Sequence, residues 1–251
     1  MTAHSVAELR EAWRAIEAGE FAEGARPASV NYAPLATWEP SQGEKVIAVL
    51  GCAGGVGAST LALAMATASS APARVVECCP PSASGFSAAA NAELGIDGPW
   101  RRGSRGDVLL ERRTGSGPVL PAPAASAVEL TILDAGWAAL SDPSTGWPGS
   151  LLRPMDEVVL VTGATVPGLR HLESCIELLG RDALGVVVGP TTRQWPRPVK
   201  DAAAGMPTRA RLVSFPMDPR LRVTGLTPDP MPTALVKAAQ NVLALLRKEP
   251  S

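Results

Sequence analysis

Apolar positions in this chain follow two periods. The runs "VIAVL" (46–50), "ARVVECC" (73–79), "VELTILDA" (128–135), "EVVLVTG" (157–163) and "ALGVVVG" (183–189) are continuous rather than alternating. Strands buried on both faces of a parallel sheet have that pattern, and "RARLVSF" (209–215) predicts one more. Helical spacing follows at 59–69, 167–181 and 232–248, the last with Leu235, Val236, Ala239, Val242, Leu243 and Leu246 on one side. Strands alternating with helices predict an α/β fold: a doubly wound, mostly parallel sheet flanked by helices, with ligands at the carboxyl ends of the strands. Ahead of this, residues 5–23 set Val6, Leu9, Trp13 and Ile16 on one helical face, with Ser5 and Glu8 as a capping box. The stretch "GARPASVNYAPLATWEPSQGE" reads as an irregular connector, which divides the chain into an appendage at 1–44 and a domain at 45–251. Residues 80–126, rich in Pro, Ser and Gly, read as loops, and so do residues 190–208.

Composition narrows the function classes. At 251 residues and 46% hydrophobic, the chain can bury the core of one full domain. A net charge of −1 supplies no basic field, so nucleic acid is not an expected partner. The last helix has only Lys237, Arg247 and Lys248 as basic residues, which predicts core packing rather than attachment to a membrane. With no secretory leader and no apolar run of transmembrane length, the expected location is the cytoplasm. Cys52, Cys78, Cys79 and Cys175 lack metal-site spacing, and adjacent cysteines in a strand suit a reducing compartment. His4 and His171 do not form a metal pair by spacing.

One stretch carries candidate chemistry. In "VIAVLGCAGGVGASTLALAMA" (46–66) a buried strand enters a glycine-rich turn and then a helix. Such a loop holds phosphate through converging backbone N–H groups, a lysine, and a hydroxyl that completes a magnesium shell. Gly54, Gly55, Val56 and Gly57 form the turn, and Ser59 and Thr60 offer hydroxyls, but Ala58 stands where the lysine belongs. Lys45 sits at the opposite end of the strand and cannot replace it. On spacing alone the turn is either a phosphate cradle or a tight strand-to-helix connection. Asp134, at a strand end, is either a magnesium-shell carboxylate or a helix cap. Glu77 reads as an ion-paired carboxylate at the sheet edge or a site residue. The run "RRGSRGDVLLERR" (101–113) reads as a solvated loop, with Arg101, Arg102 or Arg105 as candidate substitutes for the lysine charge.

The segment "AGGVGASTLALAMA" resembles the deviant Walker A loop of the ParA/MinD superfamily, Lys-Gly-Gly-Val-Gly-Lys-Thr-Thr, and more closely its CpaE/TadZ branch, where Ala-Ser often replaces Lys-Thr. In that resemblance Ala53 falls on the lysine that reaches across a dimer, and Ala58 on the phosphate lysine. "RVVECCPPSASG" is similar to the Asp-x-Asp-Pro stretch, with Glu77, Cys79 and Pro80 at its positions, and "LTILDAGW" to the Walker B segment, with Asp134 retained. Gly189 or Pro190 replaces an adenine-contacting asparagine. The resemblance implies a P-loop fold with a nucleotide site at Gly54, Gly55, Val56, Gly57, Ala58, Ser59, Thr60, Glu77 and Asp134. The losses imply a pseudo-ATPase with no catalytic residue and no required cofactor, taking ATP or ADP with Mg²⁺ only at low affinity. Ser59 and Asp134 would then hold the metal. The implied role is a scaffold or positioning factor for a secretion, pilus, septum or DNA-segregation machine. Protein partners are expected at residues 5–23 and 80–126, as is a homodimer formed through protein surface. The rival expectations are a weakly active ATPase using an arginine, and a nucleotide switch without turnover.

Overall fold

The run Val46–Leu50 becomes strand β1 (Lys45–Gly51), whose side chains from Ile47 to Leu50 are buried on both faces. The structure, a computed structural model, describes residues 38–79, 85–115, 120–124, 126–136, 157–180, 183–206 and 210–246. The helix expected at 5–23 lies outside the described residues. Among the described residues nine strands form one sheet, in the order β3 (Ala92–Asp97), β4 (Trp100–Arg105), β5 (Val108–Arg113), β2 (Ala73–Glu77), β6 (Leu130–Gly136), β1, β7 (Val158–Gly163), β8 (Ala183–Val188) and β9 (Ala210–Phe215). The expected strands appear as β1, β2 (Ala73–Glu77), β6 (Leu130–Gly136), β7 (Val158–Gly163), β8 (Ala183–Val188) and β9 (Ala210–Phe215). All of these pair in parallel.

Helices cover both faces. On one side α1 (Ala58–Ala68) and α5 (Thr233–Leu246) pack with Ile47, Val49, Val75 and Ile132, and the short α4 (Pro219–Thr224) joins them through Leu221. On the other, α2 (Val166–Leu179) and α3 (Arg197–Ala204) pack with Leu50, Val76, Leu133 and Leu160. Trp38, from the stretch read as a connector, joins this second cluster. The apolar side of α5 is core: Leu235, Ala239, Val242 and Leu243 are buried. Among the described residues no helix is long and apolar enough to cross a membrane.

The structure corrects four expectations. Residues 80–126 are not loops throughout, because they contain β3 (Ala92–Asp97), β4 (Trp100–Arg105) and β5 (Val108–Arg113). Two-residue hairpin turns join them, Gly98-Pro99 and Gly106-Asp107, with Gly98 at φ +56° and Gly106 at φ +57°. Left-handed backbone of this kind suits glycine and matches the strands' twist. Within 190–208 the chain forms a 3-10 turn, Thr192–Gln194, and then α3. Cys78 and Cys79 lie just past β2 rather than in a buried strand, and both are half-buried. Glu77 is not at the sheet edge, since β2 runs between β5 and β6.

Candidate functional site

At the carboxyl end of β1 the chain turns sharply into α1. The Cys52 N–H donates to the Val161 carbonyl at 2.9 Å, and the Leu61 N–H donates to the Gly57 carbonyl at 3.0 Å, which starts the helix. Gly55 (φ +71°) and Gly57 (φ +93°) take backbone conformations that a side chain would strain. A Cβ on Gly57 would also touch Val188 at 3.6 Å, so the turn lies against the end of β8. A Cβ on Gly54 or Gly55 would meet nothing within 4 Å, so the tip of the loop is open. Val56 and Ala58 pack against the core, and α1 begins with no side-chain cap and no acid in its first turn. A helix start of that kind suits an anion.

The side chains around this opening have the opposite character. β2 and β6 are in register at Glu77 and Asp134, which sets two buried carboxylates side by side. The Ser59 hydroxyl donates to Asp134 Oδ2 at 2.7 Å. Burial pushes the Asp134 carboxyl up to about 7; the Ser59 bond opposes the shift and the Glu77 charge adds to it. Gly85 is pressed onto Ser59, where an added Cβ would fall 2.5 Å from the Ser59 Cβ and closer still to its hydroxyl. Thr60 is half-buried in the first turn of α1.

The candidate arginines are engaged elsewhere or exposed. Arg102 pairs with Asp97 at 2.9 Å and Glu111 at 3.1 Å, and Arg105 donates to the Asp229 carbonyl. Arg101 is exposed on β4. At Gly189 there is no room for a side chain, because an added Cβ would fall 2.8 Å from the Ala164 Cβ.

The residues present therefore match a magnesium nucleotide poorly. Ala53 and Ala58 bring no charge to offset a phosphate, the adjoining acids Glu77 and Asp134 would repel one, and Gly85 stands against the Ser59 hydroxyl. Among the described residues no group of three or more His, Cys, Asp or Glu could hold a metal ion. None of the four cysteines is in a disulfide. The structure thus brings together Gly54, Gly55, Val56, Gly57, Ala58, Ser59, Thr60, Glu77 and Asp134 at one end of the sheet. Sequence reasoning missed Gly85, a glycine in a Ser/Ala/Gly stretch with no distinguishing signal. It also missed the β3–β5 hairpins, although the Gly106-Asp107 pair is a hairpin signal.

No family model matches the chain, and no curated protein matches its sequence. Solved structures similar to it include the cell division ATPase MinD of Pyrococcus furiosus, at 16% identity and a TM-score of 0.47, covering 80% of this chain and 99% of that one. Apo McdA of Cyanthece matches at 12% identity and a TM-score of 0.48, over 79% of this chain and 100% of that one. A plasmid partition protein of Borrelia burgdorferi matches at 11% identity and a TM-score of 0.45, over 81% of this chain and 99% of that one.

Proposed function

We propose that this chain is a ParA/MinD-like P-loop protein of the CpaE/TadZ type that does not hydrolyse ATP and works as a scaffold or positioning factor through protein contacts. The observation that carries the reading is the state of the loop: a phosphate-loop backbone whose two lysine positions are Ala53 and Ala58. Losing one group that stabilises transition-state charge costs on the order of 100- to 1,000-fold in rate, and here both lysines are missing. What remains is architecture: glycine turn, strand ends and two packed faces. In this reading any homodimer forms through protein surface, because the residue that would bridge subunits is an alanine.

Titration calorimetry with ATP and ADP in the presence of Mg²⁺, alongside phosphate release, tests the proposal. The expected result is no turnover, with binding weak or undetectable at millimolar nucleotide. Steady phosphate release that disappears in Asp134→Ala would overturn it and revive the arginine-assisted ATPase. Micromolar binding without release would replace the scaffold by a nucleotide switch.

A further inference from the structure

We propose that Gly85 and the turn Phe86–Ala89 are a built-in occupant of the place beside Ser59 that a phosphate-bound cation would take, while the tip of the loop stays open. This rests on the reading of the loop as a degenerate nucleotide site. Three observations carry it. An added Cβ on Gly85 would lie 2.5 Å from the Ser59 Cβ, which puts the Gly85 Cα within about 4 Å of that atom, given a carbon–carbon bond of about 1.5 Å. Only glycine fits so close an approach. The Ser59 hydroxyl donates its single proton to Asp134 Oδ2 at 2.7 Å, which leaves its lone pairs for a cation, and Gly85 stands against that same oxygen.

The turn is also anchored. Phe86 is buried in the same core cluster as Leu61 and Met65, and Ala89 is buried beside it. The Ala89 N–H closes the turn on the Phe86 carbonyl at 3.1 Å, while Ser87 and Ala88 face solvent. A cation approaching Ser59 and Asp134 must therefore lift Gly85 and with it the Phe86 anchor.

The experiment restores the missing charge and then unseats the turn. In the full chain, Ala58→Lys is compared with Ala58→Lys plus Gly85→Ala, using magnesium-ATP as the calorimetric probe. A site that is open only part of the time loses affinity in proportion to its closed fraction, so the double variant is expected to bind about tenfold tighter or more. Equal affinities, including no measurable binding by either, overturn the proposal. Where Gly85→Ala fails to fold, Phe86→Ala takes its place with the same two outcomes. Hydrogen exchange on the unaltered chain needs no variant: the Ala89 amide is expected to be equally protected with and without magnesium-ATP, and fast exchange without nucleotide overturns the proposal. Phosphate release by the unaltered chain would sink the scaffold reading instead, and the affinity ratio between variants judges the turn separately.

Discussion

From β2 across to β9 the sheet is held by Val, Ile and Leu on both faces, whereas from β5 out to β3 it is laced with arginine. The first region buries strands such as β7, where Val159, Leu160 and Val161 show no exposed surface. The second turns antiparallel, carries Arg101, Arg102, Arg105, Arg112 and Arg113, and ends in a strand exposed along its whole length. At their seam sits Arg74 of β2, fully buried. Its Nε donates to Thr131 Oγ1 at 2.7 Å, Nη1 to Glu111 Oε2 at 3.3 Å and the Ala124 carbonyl at 2.7 Å, and Nη2 to Glu44 Oε1 at 2.8 Å. The guanidinium also lies 5.6 Å from the centre of the Trp38 ring.

Burial pushes the carboxyls of Glu44 and Glu111 up. At Glu44 the bonds from Thr131, the Ser41 N–H and Arg74 outweigh burial and hold it below its ordinary value, while Glu111 stays above its own despite Arg74 and Arg102. Apolar strands will pack in any sheet that covers them. A buried guanidinium with two carboxylates and a fixed carbonyl fits only one register, so the network specifies how the hairpins attach rather than adding much net stability.

Breaking the seam should have the largest effect. Arg74→Ala leaves Glu44 and Glu111 buried without their cation and is expected to cost about 3–5 kcal/mol, seen as a lower urea midpoint. Replacing all three by apolar residues of similar volume should recover most of that loss. Failure to recover would mean that the network holds the sheet in a way apolar packing cannot. Leu63→Ala in α1, buried without exposed surface, tests the other region. It is expected to cost about 2–5 kcal/mol, with little dependence on salt or pH.

Asp134 sharpens the contrast, because it is a charge embedded in the apolar region. Its carboxyl takes up a proton near pH 7 when folded and near pH 4 when unfolded, so between those values the folded state holds more protons and stability falls as pH rises. Asp134→Asn, neutral throughout, is expected to exceed the parent by on the order of 2 kcal/mol at pH 8 and to match it near pH 4. A difference that did not change with pH would show that the carboxylate is not desolvated. The smallest effect belongs to the rim of the arginine region. Glu93, half exposed, pairs with Arg112 at 2.6 Å, and Glu93→Gln is expected to change stability by less than about 1 kcal/mol, and by less still in high salt.

The same division decides what could be read in advance. β1, β2, β6, β7, β8 and β9 were legible because a strand buried on both faces needs a continuous apolar run, and the glycines at 54, 55 and 57 because the backbone must turn where side chains cannot follow. α1, α2 and α5 announced themselves by helical spacing. β3, β4 and β5 did not, because polar residues satisfied across strands leave no hydrophobic period in the sequence. Arg74 was hidden inside an apolar run, and Trp38 and Glu44 inside what reads as a connector.

By itself, then, the sequence determined the layered α/β order, the strand–glycine–helix loop and the absence of its lysines, since these depend on local period and residue identity. Only the tertiary structure decided which carboxylates stand together, where the arginines find partners, and that Gly85 lies on Ser59. Those contacts join residues tens of positions apart, and their energies depend on burial and register that no local pattern encodes.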